Sequence, residues 1–238
     1  MNHTRGNALL NAFPSDVRAQ LDITEADYPG HTVLLRSGEV PEWFYFPHHG
    51  AVISLTRSTE SGATVEVGIV GYEGLVTVQA LLTPEAAAAT DAVVQIAGRA
   101  SRVEARAIRV LLQNPAVRDI LMACTGAFLA QVSQHAVCNR LHTIEQRLAK
   151  WILGVRDRID SDSIALTHDF LSHMLGIRRS GVTTAIGALA LDGLIRNGRS
   201  QLVISDSEGL EDRACECYCV IRDATRQAEL SSAVPTHG

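Results

Sequence analysis

The sequence predicts an α+β fold: an N-terminal antiparallel β-roll of jelly-roll type, a long helix, and a C-terminal winged helix-turn-helix. Three observations support this order. Short apolar runs separated by turn residues fill residues 31–100, and a long stretch without helix breakers follows from Val117 to Arg140. Two short helical patterns separated by a glycine then precede a hairpin pattern within residues 167–204.

The composition is that of a globular protein with a local basic segment. The chain has 238 residues, of which 46% are hydrophobic and 20% are charged, so one large domain or two small ones can bury a core. The formal net charge of -5 is spread unevenly. Residues 140–199 carry nine Lys/Arg against six Asp/Glu, whereas residues 1–139 carry nine against thirteen. A basic segment inside an acidic protein is compatible with DNA contact.

The sequence shows no targeting signal. Its start, "MNHTRGNALLNAFPSD", lacks an apolar run of signal-peptide length, and by this interpretation no segment resembles a membrane span. The five cysteines, at 124, 138, 215, 217 and 219, suit neither a disulfide framework nor paired CxxC zinc knuckles. We therefore expect a soluble cytoplasmic protein with reduced thiols, no metal site, no cofactor and no membrane partner.

The N-terminal half reads mainly as strands. Residues 8–28 have apolar residues at rough helical spacing and predict a short helical region. Residues 31–100 contain runs rich in Val, Ile and aromatic residues, punctuated by Gly, Pro and Ser. Such spacing indicates an antiparallel barrel or sandwich. The low-complexity stretch "PEAAAAT" within it predicts a loop or one helical turn.

Helical spacing takes over after Glu104. A first helix, "EARAIRVLLQN", ends where Asn114 precedes a proline. The long helix that follows has a broad apolar stripe, made of Leu121, Cys124, Phe128, Leu129, Val132 and Ala136. This stripe either covers the β-roll or pairs with a second subunit. A further helix, "IEQRLAKWILGVRDRI", has Leu148, Trp151 and Val155 on one side.

A helix-turn-helix pattern follows. Thr167 is a suitable N-cap for "HDFLSHML", and Gly176 supplies a tight turn. The next helix is predicted from about Arg178 to Asp192. Four apolar residues of this helix are spaced for burial: Val182, Ala185, Ile186 and Leu189. Asn197-Gly198 then offers a hairpin turn, and a hairpin directly after a helix-turn-helix is a wing.

The face of this helix opposite the apolar residues suits double-stranded DNA. Arginine binds guanine O6 and N7 with two hydrogen bonds, so Arg179 is the candidate base reader. Ser180, Thr183 and Thr184 would add base or phosphate contacts, while Arg178 and Arg199 of the wing would hold phosphates. The predicted DNA-binding residues are thus Arg178, Arg179, Ser180, Thr183, Thr184 and Arg199.

The segment "LSHMLGIRRSGVTTAIGALALDGLIRNGRSQLVISD" resembles the winged helix of the Crp/Fnr family of bacterial transcription regulators. "LRSGEVPEWFYFPHHGAVISL" and "GIVGYEGLV" are similar to the family's β-roll. The resemblance spans most of the chain and is most specific in residues 143–205. It implies a cyclic-nucleotide-binding-like sensor domain in residues 1–114, a dimerisation helix in residues 115–142, and a winged helix-turn-helix with a helical tail in residues 143–238.

The same resemblance implies a function. A regulator of this kind would bind an inverted-repeat DNA site as a homodimer, respond to an effector, and have RNA polymerase as a further candidate partner. Such a protein is not an enzyme. Tyr72 and Glu73 occupy the place of the family's ligand-binding segment and are the candidate effector-binding residues.

The chain departs from the family pattern at informative positions. Cyclic-AMP-binding members have Gly-Glu-Leu-Gly-Leu where this chain has Gly71 to Leu75 as "GYEGL", and residues 76–95 contain no arginine to pair with a phosphate. We therefore expect no tight binding of cyclic AMP. Either the roll binds another effector through Tyr72 and Glu73, or it has lost control by a ligand. No cysteine precedes Cys124, unlike in oxygen-sensing members. Ser180 stands where many members have Glu, so a different target sequence is expected.

Two other classes of function remain open from the residues alone. A metal-dependent β-barrel enzyme could use His31, His48 and His49, although adjacent residues in a strand point to opposite faces. A protein-binding module could use the C-terminal helices. In "CECYC", helical spacing would put Cys215 and Cys219 on one face and Cys217 nearly opposite. Two thiolates are incomplete for zinc, so this spacing favours packing of a terminal helix, with redox or metal sensing as the alternative.

Overall fold

Strands of the N-terminal half form two open antiparallel sheets. The fold comes from a computed structural model, which describes residues 6–83, 85–198 and 200–233. The strands are β1 (Thr24–Tyr28), β2 (Val33–Leu35), β3 (Trp43–Pro47), β4 (Val52–Ser58), β5 (Thr64–Val70), β6 (Asp91–Ile96) and β7 (Gly98–Glu104). One sheet has the order β1-β7-β3 and the other β2-β6-β4-β5. The predicted strand-rich domain is thus a two-sheet roll and not a closed barrel.

Short helices flank the roll: α1 (Ala8–Asn11), α2 (Ser15–Arg18), α3 (Gln79–Leu82) and α4 (Ala105–Leu111). The predicted helical region at residues 8–28 is wrong in its second half. Pro14 separates two single helical turns, and Thr24–Tyr28 joins the sheet by pairing with residues 98–102. Residues 85–90 form a loop, as predicted for the alanine-rich stretch.

Two long helices connect the halves. The helix α5 (Pro115–Leu141) has 27 residues and begins at the N-cap Asn114, and α6 (Ile144–Ile159) follows after a capping box at Thr143. The side-chain amide of Gln131 accepts a hydrogen bond from Ile69 N (2.6 Å) and donates one to Ile69 O (3.2 Å). This paired contact fixes α5 against β5.

The C-terminal half contains a three-stranded sheet and four helices among the described residues. They are β8 (Ser163–Ala165), α7 (His168–Leu175), α8 (Arg179–Leu191), β9 (Ile195–Gly198), β10 (Gln201–Ile204), α9 (Ser207–Arg213) and α10 (Cys217–Ala233). The sheet order is β8-β10-β9. The last helix, α10, returns to pack along α5. A continuous apolar core joins α6, α7, α8 and this sheet.

The length of α5 corrects one prediction. Among the described residues, α5 is long and apolar enough to cross a membrane by length and composition, with a mean hydropathy of 1.3 in an 18-residue window. The expectation that no segment resembles a span is therefore wrong by this measure. A helix shared between a core and a protein interface meets the same criteria, and α5 packs on β5 and α10.

Candidate nucleic-acid interface

The helix-turn-helix forms where the sequence predicts it. Thr167 Oγ1 accepts a hydrogen bond from Phe170 N at 3.2 Å and starts α7, and Gly176 ends it in the left-handed region with φ of 62°. Because a side chain at such a φ is strained, glycine is the suitable residue there. The four residues predicted to be buried on α8 are each at most 2% exposed: Val182, Ala185, Ile186 and Leu189.

The structure brings five of the predicted DNA-binding residues together on the exposed start of α8. Arg178, Arg179, Ser180, Thr183 and Thr184 all face solvent. Both threonine hydroxyls donate back to carbonyls one turn earlier, Thr183 to Arg179 O (3.1 Å) and Thr184 to Ser180 O (3.0 Å). Thr184 Oγ1 can therefore still accept hydrogen bonds, whereas Thr183 Oγ1 also contacts His168 Nδ1. Either hydroxyl donates to a phosphate once its hydrogen rotates away from the carbonyl.

Arg179 is paired within the protein. Its Nη1 lies 3.3 Å from Asp169 Oδ1 of α7, and the two side chains are 67% and 64% exposed. Exposed pairs of this kind contribute about 0–1 kcal/mol. The guanidinium can therefore exchange Asp169 for another acceptor at small cost.

The two glycines of α8 have different environments. A Cβ on Gly181 would lie 3.3 Å from Ile144 Cδ1, so this glycine permits close packing of α8 on α6. A Cβ on Gly187 would meet no atom within 4 Å. Gly187 lies on the exposed side of α8 with Ser180 and Leu191, where it leaves the helix surface flat.

The wing differs from the prediction in the position of its turn. Asn197 pairs with Leu202 and Gly198 with Gln201, so the chain reverses between Gly198 and Gln201 and not at Asn197-Gly198. The turn therefore comes two residues later than predicted, because β10, which also pairs with β8, extends to Gln201. Arg199, the predicted phosphate contact of the wing, lies outside the described residues.

A polar network that the sequence did not reveal connects the wing to α8. His168 Nδ1 lies 3.2 Å from Thr183 Oγ1, and His168 Nε2 lies 3.4 Å from Asn197 Nδ2. One imidazole thereby links α7, α8 and β9. No local pattern marks these residues, because His168 and Asn197 are 29 positions apart.

The candidate effector-binding residues, Tyr72 and Glu73, line a cavity of about 370 Å³ between the roll and helices α5, α6 and α10. Glu73 Oε1 accepts hydrogen bonds from Arg158 Nε (2.8 Å) and Gly71 N (3.2 Å), and the ring of Tyr72 stacks on His49 at 3.5 Å. The Glu73 and Arg158 side chains are only 11% and 7% exposed. Glu73 Oε2 and His135 Nδ1 are buried without a hydrogen-bond partner among the described residues.

Burial shifts two titratable groups at this cavity in opposite directions. It raises the pKa of Glu66 to about 7, against the lowering effects of the Ser54 hydroxyl and the charge of Lys150. It lowers the pKa of His135 to about 3, helped by the charge of Lys150. Both groups therefore favour their neutral forms because the charged forms lose hydration.

A second cavity, of about 660 Å³, is lined in part by residues 77–80, 82–83 and 86–90, which follow the "GYEGL" stretch along the chain. Its lining is largely apolar and includes Leu55, Val67, Phe128 and Val132. Arg57, at this cavity, donates a hydrogen bond to the carbonyl of Ala89.

The three histidines considered for an enzyme have separate contacts. His48 Nε2 lies 2.8 Å from Ser101 Oγ, His49 stacks on Tyr72, and His31 packs edge-to-face on Phe170.

The cysteines are arranged otherwise than helical spacing predicts. The helix α10 begins only at Cys217, so Cys215 lies in the preceding turn and its side chain points to the same place as that of Cys217. Cys219 lies apart, with its Sγ 3.7 Å from Arg222 Nη2. The expectation that Cys215 and Cys219 share one helix face is therefore wrong. The structure instead adds Cys138 and His142 from the end of α5 to Cys215 and Cys217.

Comparisons with known proteins identify the C-terminal domain and the fold. Residues 146–213 match the Crp-like helix-turn-helix domain. Similar solved structures include TTHA1359, a transcriptional regulator of the CRP/FNR family from Thermus thermophilus, with a TM-score of 0.66 and 21% identity over 80% of this chain and 98% of that one. FixK2 from Bradyrhizobium japonicum has a TM-score of 0.66 and 17% identity over 82% and 98% of the two chains. TTHB099, a CRP-family transcriptional regulator from Thermus thermophilus, has a TM-score of 0.64 and 16% identity over 79% and 96%.

No curated protein matches the chain in sequence. The resemblance drawn from the sequence is nevertheless confirmed: residues 146–213 are a Crp-like helix-turn-helix domain, and the chain has the fold of the Crp/Fnr regulators.

Proposed function

We propose that this chain, with its Crp-like helix-turn-helix domain, is a sequence-specific DNA-binding regulator of transcription that binds an inverted repeat as a homodimer. The observation that carries the proposal is the division of α8 into a fully buried side and an exposed side that begins with two arginines. The wing lies beside this exposed side. An α-helix of this kind fits the major groove of B-DNA.

The roles within the interface follow from side-chain chemistry. Arg179 reads a guanine after leaving Asp169, and Ser180, Thr183 and Thr184 contact bases or phosphates. Arg178, at the N-cap of α8, and Arg199 hold phosphates. The absence of a side chain at Gly187 lets the backbone of α8 approach the groove closely. Ser180 lacks the carboxylate that accepts a hydrogen bond from cytosine N4, so the preferred sequence differs from that of members with Glu there.

A second copy of the chain is the proposed partner of α5. Met122, Leu129 and Val137 lie along one side of this helix and are 39%, 56% and 40% exposed. Gly126, on the same side, has open space around it. An apolar stripe on a long helix suits a two-fold contact in which each copy uses the same face. This stripe excludes Phe128, whose Cε2 would lie 2.8 Å from a Cβ on Gly68 of its own β5.

The cavity beside Tyr72 and Glu73 is the proposed effector site. Its support is the unpaired Glu73 Oε2, which can accept a hydrogen bond from a ligand donor, and the position of Arg158 and α10 in the same wall. Arg158 belongs to α6, which begins the DNA-binding half. A ligand here would contact both halves of the molecule.

The effector is not cyclic AMP. The apolar second cavity offers poor compensation for a cyclic phosphate, because its Arg57 already bonds to the Ala89 carbonyl. We expect calorimetry with cyclic AMP to show no sub-micromolar binding. Binding in that range would contradict this assignment. We further propose that the protein works in the cytoplasm, with RNA polymerase as a candidate partner.

Selection from a pool of random double-stranded DNA tests the proposed function. The full-length protein should enrich one inverted-repeat sequence, and gel shift should show tighter binding to it than to a scrambled duplex at the same salt concentration. Equal affinity for the selected and scrambled duplexes would overturn the proposal. Capture of protein partners without DNA preference would favour the protein-binding alternative.

A further inference from the structure

Four ligand atoms from distant parts of the chain meet at the end of α5. They belong to Cys138 and His142 at that end and to Cys215 and Cys217 at the junction of α9 and α10, and all lie within 4.8 Å of one another. Cys138 Sγ is 3.6 Å from Cys215 Sγ, and Cys217 Sγ is 3.6 Å from His142 Nδ1. The three cysteines are at most 3% exposed, so the group is enclosed.

These separations match ligands around one tetrahedral ion. With Zn–S bonds of about 2.3 Å and Zn–N bonds of about 2.0 Å, tetrahedral angles place two sulfurs roughly 3.8 Å apart and a sulfur and a nitrogen roughly 3.5 Å apart. An iron–sulfur cluster spreads its ligands more widely, because its thiolates bind different irons. Three thiolates and one imidazole also form a closed ligand set that zinc uses in structural sites.

The surroundings of His142 provide a second, independent observation. Its Nε2 lies 3.1 Å from Glu216 Oε1, while its Nδ1 faces the thiols. Metal-binding histidines commonly donate their other ring N–H to a carboxylate, which fixes the tautomer that leaves a lone pair for the ion. Glu216 lies between two of the cysteines in sequence, so the turn that gathers them also positions this carboxylate.

Positive side chains near the group offset the charge of three thiolates. Lys150 of α6 is only 6% exposed and lies within electrostatic range of Cys138. Arg147, one helical turn earlier, also lies within electrostatic range of Cys138 and Cys215. A Zn²⁺ ion with three thiolates has a net charge of -1, which such cations can compensate.

We propose that Cys138, His142, Cys215 and Cys217 form a structural zinc site that fastens the start of α10 to the end of α5. This replaces the expectation from sequence that the chain has no metal site. The ion would hold in place the helix that supplies Tyr218, Arg222 and Thr225 to the effector cavity. The site is separate from the DNA-contacting face of α8 and does not depend on the proposed DNA binding.

Metal analysis of the full-length protein tests the proposal. Protein purified under reducing conditions from zinc-supplemented cells should contain about one Zn²⁺ per chain, whereas Cys138→Ser and Cys217→Ser should contain less than about a fifth of that. Cys219→Ser is the matched control, because this thiol belongs to the same segment but points to Arg222. It should retain the full zinc content.

A second measurement does not depend on the folding of any variant. Wild-type protein in which Co²⁺ replaces zinc should show the intense visible absorption of a tetrahedral site together with thiolate-to-cobalt charge-transfer bands. Wild-type protein without zinc that also fails to produce this spectrum would overturn the proposal. So would equal zinc loss in Cys219→Ser and Cys217→Ser, or a Cys138–Cys215 disulfide in the freshly purified protein.

Discussion

At the scale of single residues, Arg179 has two possible partners in competition. In the free protein its guanidinium contacts Asp169 at 3.3 Å, and both groups are well exposed. A guanine offers two acceptors in the plane of the guanidinium, and one carboxylate oxygen at 3.3 Å offers a weaker contact. If α8 enters the major groove as proposed, Arg179 can therefore leave Asp169 for guanine at small cost.

Replacing Arg179 by Ala should reduce affinity by about 1–3 kcal/mol per half-site and relax the preference at one base pair. Arg199→Ala should instead weaken binding on all sequences alike and reduce the salt dependence of the affinity. Fluorescence anisotropy with a panel of single-base variants at several salt concentrations distinguishes these effects. Unchanged sequence preference in Arg179→Ala, with altered preference in Arg199→Ala, would reverse the two roles.

Glu66 and His135 oppose each other in the pH dependence of stability. The pKa of Glu66 rises on folding from 4.5 to about 7, so the folded state binds its proton more tightly and stability falls as pH rises through that window. The pKa of His135 falls from 6.5 to about 3, so stability is lost as pH falls from 6.5 towards 3. Between pH 4.5 and 6.5 the two contributions cancel in the wild-type protein.

Single variants should expose each contribution. Glu66→Gln keeps an acceptor for Trp151 Nε1. Its free energy of unfolding, relative to that of the wild type, should increase by about 3 kcal/mol as the pH rises from 4.5 to 7. For His135→Gln, the same difference should increase as the pH falls from 6.5 to 4.5. Urea unfolding at a series of pH values measures both differences. Profiles of both variants parallel to wild type would contradict the assigned shifts.

At the scale of elements, helix ends marked by capping residues could be predicted from the sequence. Which side of a helix packs on the protein and which faces outward could not. Thr167 and Gly176 mark the ends of α7 in sequence, and the structure places both ends there. The helix α5 has apolar residues around most of its circumference, so its spacing did not show that Phe128 packs on β5 while Leu129 faces outward. The strand at Thr24–Tyr28 was missed because its partner is residues 98–102, which lie far along the chain.

The exposed stripe of α5 gives a direct test of the dimer. Leu129→Asp should convert the dimer to a monomer at micromolar concentration, because the charge would lie unpaired in an apolar contact. The side chain is 56% exposed within one protomer, so the fold of each protomer should persist. Analytical ultracentrifugation measures the mass, and circular dichroism reports the fold.

Val110→Asp is the matched control for this test. Val110 lies on α4, away from the stripe, and is 70% exposed. It should leave the mass unchanged. If Leu129→Asp stays dimeric, the dimer interface lies on another surface. If the wild-type protein is a monomer, the proposed dimer is contradicted.

At the scale of the whole molecule, the proposed effector cavity lies beside the contacts between the two halves. Glu73 of the roll pairs with Arg158 of α6 at 2.8 Å, and Trp151 Nε1 of α6 donates to Glu66 of β5 at 3.1 Å. Both contacts adjoin the 370 Å³ cavity. A ligand that competes for Glu73 would therefore act on the orientation of the DNA-binding half.

The order of the roll, the long helix and the winged helix could be predicted from the sequence, but the contacts between the two halves could not. Glu73 and Arg158 are 85 positions apart, as are Glu66 and Trp151. Cys138 and Cys215 are 77 apart. Each residue is ordinary in its own segment, and its chemistry appears only when the fold brings the segments together. Periodicity and capping are local signals and do not contain this information.

The contacts between the two halves lead to a prediction about the spacing of the DNA half-sites. If α5 holds two copies together and the contacts at Arg158 and Trp151 hold each winged helix on its roll, the two α8 helices are fixed about 34 Å apart, one turn of B-DNA. Inserting about five base pairs between half-sites should reduce affinity to that of a single half-site, because one half-site then faces away. Inserting about ten restores the facing but lengthens the spacing by a turn, so affinity should stay low. Gel shift with these duplexes measures the effect, and recovery with the longer insertion would show that the winged helices move independently of the rolls.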